Sequence, residues 1–195
     1  MKLARGSAVW VSTPLIMAAM LAILGIWYAS ALAFIGSIFL IFFHRDPDRF
    51  PLGEGMISPA DGRIVLALPR RIAIFMSPFD VHVNRSPMDG AVLATEYKKG
   101  KHAPAFLGRA GENQRNLIEM ETKDGNIDLC QMTGALVRRI LCYVHPGDLV
   151  VRGERIGMIR FGSRVEVTIP LGYELFVKKG DRVRAGESII AVKVS

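Results

Sequence analysis

The amino-acid sequence predicts a mainly β protein of the α+β class, preceded by a pair of apolar helices. Two observations lead to this prediction. No charged residue occurs from Ala8 to Phe43, and the rest of the chain alternates short β-type runs with Gly, Pro and Asp turn signals. The 195 residues, 50% of them hydrophobic, suffice for one domain and an appendage. We therefore divide the chain into a hydrophobic segment, residues 1–44, and a β-rich domain, residues 45–195.

The apolar segment is too long for one straight membrane span. As a single helix, residues 8–43 would extend about 54 Å, whereas the hydrocarbon core of a bilayer is about 30 Å thick. A break near residues 25–30 gives two helices, and Ser12-Thr13-Pro14 resembles an N-cap followed by proline in the first turn. Basic residues flank both ends and favour the cytoplasm. We expect a helical hairpin, spanning or re-entrant, that anchors the chain at the cytoplasmic face of the cell membrane.

A cleaved signal peptide is the alternative interpretation of this segment. The stretch "MKLARGS" fits the basic beginning of such a peptide, and "YASALA" (28–33) offers small residues suited to a cleavage point. The apolar run nevertheless continues through "FIGSIFLIFF" beyond that point. This continuation favours the hairpin.

Charge and cysteine content narrow the classes of partner. The formal net charge of +7 predicts a negatively charged partner. Lys and Arg are scattered rather than gathered in a stripe, so we expect a membrane surface and no nucleic acid. Cys130 and Cys142 form no CxxC pair and predict two reduced thiols. No recognisable metal-ligand spacing occurs, so we expect no metal; a homo-oligomer is left open.

Turn signals divide the β-rich domain into short strands. The charged, Pro- and Gly-rich stretch 44–55 reads as a linker. The stretch 133–144 fits either a short helix or a buried strand. The predicted strands are "RIVLAL", "IAIFM", "VHVN", "AVLATEY", "LIEMET", "IDLCQM", "VEVTIP", "ELFVKK" and "IIAVKV".

Two internal repeats are present in this domain. "SPADGRIVLA" from Ser58 is repeated as "SPMDGAVLAT" from Ser86, and "GDLVVRGERIGMI" from Gly147 as "GDRVRAGESIIAV" from Gly180. Asp-Gly and Gly-Asp between apolar runs are tight-turn chemistry. Repeated hairpins predict a sandwich or flattened barrel, and the pattern "GDxVxxGExI" resembles the turns of biotinyl/lipoyl-like domains. Those domains carry a modified lysine usually flanked by methionine, and no Met-Lys-Met occurs here.

Six short stretches occur in a specific order that spans nearly the whole chain, although each is a weak signal alone. The stretches are "FHRDPDR" (43–49), "SPADG" (58–62), "FMSPFDVHVNRSP" (75–87), "ENQRN" (112–116), "GALVRRI" (134–140) and "RFGS" (160–163). Together they resemble the phosphatidylserine decarboxylase proenzymes in their short prokaryotic form. Archaetidylserine decarboxylases share the signature and differ in the lipid tail.

The resemblance implies a self-processing enzyme with a pyruvoyl cofactor. Ser163 Oγ would attack the carbonyl of Gly162, which has no side chain to hinder the attack. Elimination and hydrolysis would then cleave the chain between residues 162 and 163, release ammonia and leave a pyruvoyl group at residue 163. The two chains would remain associated. The pyruvoyl ketone would react with the amine of a serine phospholipid in the membrane and accept electrons as CO2 departs.

The same resemblance implies which residues assist Ser163. His82 is the expected base, because histidine titrates near neutral pH and a serine hydroxyl needs a base to become nucleophilic. Asp61 would orient the imidazole, although its counterpart in the repeat, Asp89, occupies a similar turn. Some longer members carry a second histidine where this chain has Arg85, so His82 is expected to serve both self-cleavage and decarboxylation.

Four arginines are candidates for binding the phosphate or carboxylate of the substrate. A guanidinium group suits both anions because it donates two parallel hydrogen bonds. Solvated surface arginines are the alternative interpretation for the paired members. The candidates are Arg85, Arg115, Arg138 and Arg139.

Two other classes of function compete with the decarboxylase. One is a non-catalytic adaptor, with a lipoyl-like β domain tethered to the membrane. The other is a membrane-anchored serine hydrolase in which Ser163 acts without cleaving its own chain. The absence of a G-x-S-x-G sequence disfavours the hydrolase, and cleavage after Gly162 would distinguish the decarboxylase from both.

Overall fold

The computed structural model describes residues 2–100, 113–134, 139–160 and 163–194. The chain falls into two compact units, Met1–Asp48 and Arg49–Ser195. The linker predicted at 44–55 therefore contributes residues to both units.

The first unit is built on two apolar helices. Helix α1 is Ala8–Ile23 and helix α2 is Trp27–Phe43. Between them lies Gly25, whose φ of 74° is readily adopted by a residue without a Cβ. The helices pack against each other, and Ser30 Oγ donates a hydrogen bond of 2.8 Å to the carbonyl of Ala18. The break predicted for the apolar segment is thus found at Gly25.

The start predicted for the first helix is wrong. The helix begins at Ala8, and Pro14 lies inside it. A proline inside a helix removes one backbone hydrogen bond, but here it does not end the helix, because the apolar run continues on both sides of it. Ser12 and Thr13 are therefore helical residues and not a cap.

The membrane-spanning form of the predicted hairpin is not confirmed. Within the part of the chain that the structure describes, no helix combines the length and apolarity needed to cross a bilayer. Several large apolar side chains of the two helices are nevertheless exposed, including Ile16, Met20, Ile23, Phe34, Ile35 and Ile38.

Strands form the framework of the second unit, which confirms the mainly β prediction, and the first two strands of the chain belong to the first unit. Each predicted run contributes to one of the strands. In chain order the strands are β1 Lys2–Leu3, β2 Arg45–Asp46, β3 Met56–Ile57, β4 Gly62–Leu68, β5 Arg71–Met76, β6 Val83–Arg85, β7 Gly90–Lys98, β8 Arg115–Thr122, β9 Gly125–Met132, β10 Arg139–Cys142, β11 Leu149–Val150, β12 Arg155–Arg160, β13 Ser163–Thr168, β14 Tyr173–Leu175, β15 Arg182–Val183 and β16 Ile189–Lys193.

The main sheet is antiparallel and has the strand order β11-β7-β8-β9-β13-β5-β4-β15. Smaller sheets have the orders β10-β12-β6, β14-β16-β3 and β1-β2. This topology does not confirm the resemblance to biotinyl/lipoyl-like domains. The stretch 133–144, which fitted either a helix or a strand, contains β10, and its residues 135–138 lie outside the described part.

The core of the second unit follows the two-residue period of its strands. On β13 the buried residues are Ser163, Val165 and Val167, and the two valines lie opposite Ile74 and Ile72 of β5. Burial of one such aliphatic side chain stabilises a fold by about 1.5–3 kcal/mol. Because Ser163 continues this alternation, its side chain points to the same face as the valines.

The two sequence repeats combine crosswise at opposite edges of the main sheet. The first SPxDG copy enters β4 and pairs with β15, where Gly62 lies opposite Val183. The second copy enters β7 and pairs with β11, where Gly90 lies opposite Val150. The first SPxDG copy therefore pairs with the second GDxV copy, and the second SPxDG copy pairs with the first GDxV copy.

Backbone hydrogen bonds repeat this pairing. The amide of Gly186 donates to the Ser58 carbonyl at 2.9 Å, and the amide of Gly153 donates to the Ser86 carbonyl at 2.8 Å. The hydroxyls of Ser58 and Ser86 each donate to the carbonyl of the residue two positions ahead, at 2.7 and 2.6 Å. The equivalence of the two copies gives Asp61 and Asp89 matching positions, which allows a direct comparison.

Both SPxDG glycines lie where a side chain would collide with the neighbouring strand. A Cβ on Gly62 would lie 2.0 Å from the Phe75 carbonyl oxygen, and one on Gly90 would lie 2.4 Å from that of Glu121. Gly62 also has a φ of +142°. The close approach of β4 to β5 fixes the backbone directly after Asp61.

Candidate active site

Ser163 is the first residue of β13 and is fully buried. Its direct partner on β5 is Met76. Among the described residues, Ser163 Oγ has no hydrogen-bond partner. Leaving a buried hydroxyl unpaired costs about 1–3 kcal/mol, and such exceptions in native structures require an explanation. A hydroxyl without a hydrogen-bond partner is consistent with a role as a nucleophile.

Two predicted residues lie outside the described part of the chain. Gly162, the other half of the predicted cleavage site, is one of them, and Arg138 is the second. Their assignments remain predictions.

His82 is fully buried, directly before β6. Its Nδ1 lies 2.9 Å from the carbonyl oxygen of Asp80. A carbonyl oxygen only accepts hydrogen bonds, so in the neutral ring Nδ1 carries the proton. Nε2 is then the nitrogen able to accept a proton. The loop before it is held by Asp80 Oδ2, which accepts hydrogen bonds from the amide and hydroxyl of Ser77 at 2.7 and 2.6 Å.

Asp61 joins three segments of the second unit. Both of its carboxylate oxygens accept hydrogen bonds from the guanidinium of Arg49, the second at 2.8 Å. The amide of Ala185 donates to Oδ1 at 2.7 Å, and the amide of Val81 donates to Oδ2 at 3.3 Å. Because Val81 directly precedes His82, Asp61 fixes the backbone from which the imidazole projects.

The repeat shows which part of this arrangement is shared with Asp89. Asp89 Oδ1 accepts a hydrogen bond of 2.6 Å from the amide of Arg152, which corresponds to the bond from Ala185 to Asp61. Asp89 is exposed, however, whereas Asp61 is buried and has the charged partner Arg49. The turn role is common to both carboxylates, and only Asp61 combines it with a buried ion pair.

Contacts of Asn84 bring the His82 segment to the start of β13. Asn84 Nδ2 lies 3.8 Å from the sulfur of Met76, the residue opposite Ser163. The amide of Ile159 donates to the His82 carbonyl, so the strand pairing of β6 with β12 extends to His82. In an extended strand, side chains two residues apart share a side, so His82 and Asn84 project the same way.

Arg85 is held within the fold by contacts with equivalent glycines in the two copies of the GDxV repeat. It is 5% exposed, and its Nη1 donates a hydrogen bond of 2.8 Å to the carbonyl of Gly153. A Cβ on Gly186 would lie 2.6 Å from Arg85 Cδ, so the absence of a side chain there makes room for the arginine. The structure thus gives Arg85 a packing role, and its predicted contact with substrate remains a prediction.

The other predicted arginines lie on the strands around the site. Arg115 is half-buried at the start of β8, and Arg139 is exposed at the start of β10. Arg139 lies opposite Arg160, the last residue of β12. Burial and the nearby charge of Arg139 lower the pKa of Arg160 from its usual value.

Two site residues were missed by sequence reasoning. Arg160 is 1% exposed and directly precedes the segment that contains the predicted cleavage bond, and Arg49 is the ion-pair partner of Asp61. Both belong to stretches quoted for the resemblance, "RFGS" and "FHRDPDR", but no pattern in those stretches shows which arginine is buried. A buried charge needs a partner, and a short stretch of sequence does not show which partner the fold brings to it.

A cavity of about 410 Å³ lies beside Asp89 and is not lined by Asp61, His82 or Ser163. Within it, Tyr173 donates a hydrogen bond of 2.8 Å to Asp124, and burial together with that contact raises the pKa of Tyr173 to about 12. Hydrogen bonds from Lys193 and Tyr173 lower the pKa of Asp124. Its lining residues are Glu54, Gly55, Met88, Asp89, Lys123, Asp124, Arg152, Tyr173, Val192 and Lys193.

Comparison with known proteins shows extensive similarity to one family. The family described as phosphatidylserine decarboxylase matches residues 37–191. The chain is 43% identical to the putative archaetidylserine decarboxylase proenzyme of Methanococcoides burtonii, over 86% of this chain and 82% of that protein. It is 46% identical to the phosphatidylserine decarboxylase proenzyme of Aromatoleum aromaticum, over 79% of this chain and 78% of that protein.

A second archaeal relative extends this similarity. The putative archaetidylserine decarboxylase proenzyme of Archaeoglobus fulgidus is 46% identical, over 80% of each chain. The matched range of the family includes Asp61, His82 and Ser163. The chain therefore belongs to the phosphatidylserine decarboxylase family and is a decarboxylase.

Proposed function

We propose that this chain is a proenzyme that cleaves itself at Gly162-Ser163 and then removes CO2 from a serine phospholipid. The observation that supports this most directly is the buried hydroxyl of Ser163, which has no hydrogen-bond partner among the described residues. The names of the relatives, which are proenzymes of serine-phospholipid decarboxylases, support the same reaction.

Self-cleavage begins when Ser163 Oγ attacks the carbonyl carbon of Gly162. The peptide bond breaks, an ester forms, and the proton of the hydroxyl passes to a base. His82 Nε2 is suited to accept it, because Nδ1 already donates to the Asp80 carbonyl. Elimination of the Gly162 carboxylate leaves dehydroalanine, and addition of water releases ammonia to give a pyruvoyl group at residue 163.

The pyruvoyl group would replace the side chain of Ser163, which is buried and has no hydrogen-bond partner among the described residues. A pyruvoyl ketone supplies an electron sink for the loss of CO2 from an α-amino acid. Around it, His82 remains available to return a proton to the product. The cations of Arg115 and Arg139 are candidates, with Arg138, for holding the carboxylate and phosphate of the lipid. Arg85 is retained as a further candidate contact.

The two cleaved chains are expected to stay together without a covalent link. The short chain would begin at residue 163 with β13, which forms ladders with both β5 and β9 of the long chain. It also contains β15 and β16, which pair with β4 and β3. Strand pairs inside a buried sheet hold the fragments by the same hydrogen bonds and apolar packing as in the uncut chain.

We also infer that the first unit keeps the enzyme at the cytoplasmic face of the cell membrane. The support is the uncharged segment 8–43 and the exposed apolar side chains on α1 and α2. Exposed apolar surface of this extent is stabilised by lipid or protein contact.

Membrane association predicts that the full chain, expressed in cells, remains with membranes that have been washed at alkaline pH. The control is the same chain with Ile16, Ile35 and Ile38 replaced by Asp, which should be released because charged side chains are costly in lipid. Release of the unaltered chain by the wash would contradict the proposed location.

The lipid tail distinguishes two candidate substrates. Phosphatidylserine is the first, and archaetidylserine is the second, favoured by the names of the archaeal relatives. We expect CO2 release from phosphatidylserine in mixed micelles, because the bond that breaks lies in the headgroup that both lipids share. The measurement is CO2 release from each lipid at equal surface concentration. Release from archaetidylserine alone would replace the first candidate with the second.

Self-cleavage predicts two chains on a denaturing gel for the unaltered protein and one for Ser163→Ala. Ser86→Ala is the matched control, because Ser86 is also fully buried but donates its hydroxyl to the Met88 carbonyl. This control should be cleaved as the unaltered chain is. An active, uncleaved preparation of the unaltered chain is the outcome that the proposal does not survive.

The comparison of Asp61 with Asp89 predicts unequal effects of the same substitution. Asp61→Asn removes the charge that pairs with buried Arg49, so we expect a loss of about 3–5 kcal/mol in the free energy of unfolding and slower self-cleavage. Asp89→Asn should cost under about 1 kcal/mol, since it alters an exposed turn. Urea unfolding of each variant in the uncleaved Ser163→Ala background measures the free energy of unfolding. Gel densitometry of each variant with Ser163 present measures the rate of self-cleavage. Equal losses for both variants would show that Asp61 is only a turn residue.

A further inference from the structure

Three buried side-chain amides form a continuous chain of hydrogen bonds beside Ser163. Asn116 Nδ2 donates to Gln131 Oε1 at 3.0 Å, and Gln131 Nε2 donates to Asn84 Oδ1 at 2.8 Å. Asn84 and Gln131 are fully buried, and Asn116 is 3% exposed. We refer to these three residues as the amide relay. Buried polar networks are retained only where their bonds are satisfied, so the relay is a built feature of the fold.

The relay has a direction. Asn84 uses its carbonyl oxygen to accept from Gln131, which leaves its NH2 group facing the sulfur of Met76 at 3.8 Å. A thioether sulfur accepts hydrogen bonds weakly and donates none. The contact with Met76 therefore agrees with the assignment of the NH2 group, and not the oxygen, to this side of Asn84. Reversal of Gln131 would place two carbonyl oxygens against each other. Each amide therefore fixes the orientation of the next.

The fold leaves room for the relay at Gly157. Gly157 of β12 lies opposite Asn84 of β6. A Cβ on Gly157 would lie 2.7 Å from Gln131 Nε2 and 2.5 Å from the Leu141 carbonyl oxygen. Any larger residue would displace the central amide.

The relay ends on the face of the main sheet that carries Ser163. Gln131 lies opposite Val165, and Ser163 precedes Val165 by two residues on the same face of β13. On the other side of β13, Met76 lies opposite Ser163 and contacts Asn84. The side-chain amide of Asn84 therefore bonds to Gln131 on one neighbour of β13 and contacts Met76 on the other, so it crosses β13 on the face that carries Ser163.

We propose that Asn84 is a catalytic hydrogen-bond donor to the oxygens that form at residues 162 and 163 during self-cleavage. Gln131 and Asn116 are positioning residues that keep its NH2 group turned toward Ser163. The inference rests on the proposed function, since it assigns a role within that reaction. A preorganised donor of this kind stabilises the negative charge that develops on a carbonyl oxygen under attack.

The hydrogen-bond donor for the reaction, Asn84, and the acceptor of the Ser163 proton, His82, are thus two different residues of one short segment. Asn84 presents hydrogens and cannot take the proton of Ser163, because its oxygen is occupied by Gln131. His82 Nε2 can take that proton, because Nδ1 donates to Asp80. The segment 82–84 thus supplies both complementary functions from one side of a strand.

The test is to reverse the relay without changing its shape. Gln131→Glu replaces the central donor by a second acceptor, so the NH2 of Asn84 should turn away from Ser163. We expect self-cleavage to slow by about 10²-fold at neutral pH, the size of effect typical of one lost oxyanion donor. Protonation of the buried carboxyl restores one donor and one acceptor, so the rate relative to the unaltered chain should recover as the pH falls.

Charged groups near position 131 do not provide this recovery by themselves. Arg115 of β8 and Arg164 of β13 both lie opposite Met132, and Glu166, the partner of Arg164, lies opposite Cys130. His82 projects to the same side as Asn84, and its protonation acts on the unaltered chain and the variants alike, so rates are compared between them at each pH. Because side chains alternate along a strand, Arg115 and Arg164 project to the face opposite Asn116 and Val165. Burial alone raises the pKa of an introduced carboxyl, which brings its protonation within an accessible range of pH.

The experiment follows the conversion of the full chain into two chains after cell-free synthesis, across a range of pH. Thermal unfolding of each variant in the Ser163→Ala background checks that the variant folds.

Asn116→Asp is the second variant. It alters the amide at the far end of the relay and is expected to show the same pH-dependent recovery. Asn113→Asp is the control for a buried carboxyl, because Asn113 donates to the Thr133 carbonyl and lies outside the relay. It should show no recovery as the pH falls.

The outcomes separate this inference from the proposed function. Slow cleavage with pH-dependent recovery in Gln131→Glu or Asn116→Asp supports the relay. Cleavage at the unaltered rate in both folded variants, or slowing that is independent of pH, overturns it and leaves the proposed function intact. Absence of cleavage in the unaltered chain overturns the proposed function itself.

Discussion

The position of β13 between β5 and β9 is the constraint on which the site depends. Its ladders with both neighbours fix the register, so the alternation that buries Val165 and Val167 also buries Ser163. A shift by one residue would turn the hydroxyl to the opposite face and bring Arg164 into the core. By the same pairing, the proposed cut directly before β13 would leave the new chain end bound to β5 and β9 of the longer chain.

The duplicated SPxDG and GDxV turns pair with each other at the two edges of the main sheet and form a frame around β13. Each SPxDG copy is closed by a GDxV copy, and the two closures lie at opposite edges of the main sheet. The frame provides two equivalent carboxylates, and the fold has added Arg49 to only one of them, Asp61. That ion pair, with the amide of Val81 on the same carboxylate, connects the edge of the sheet to His82. An ordinary turn has in this way become part of the site.

The sequence predicted the strands well where turn chemistry and apolar alternation agreed, and the order of the short motifs indicated Ser163, His82 and Asp61. It failed at Pro14, because a local cap signal does not show whether the apolar run before it is already helical. It also could not identify the amide relay. Asn84 and Gln131 are far apart in the sequence, and their hydrogen bond depends on how β6 packs over the main sheet.

The mass of the short chain tests the central claim most directly. Active enzyme should yield a C-terminal chain that starts at residue 163, weighs one ammonia less than its residues from Ser163 would, and gains two hydrogens on borohydride reduction. A short chain with an ordinary N-terminal serine, or a full-length chain in a fully active preparation, would contradict the account.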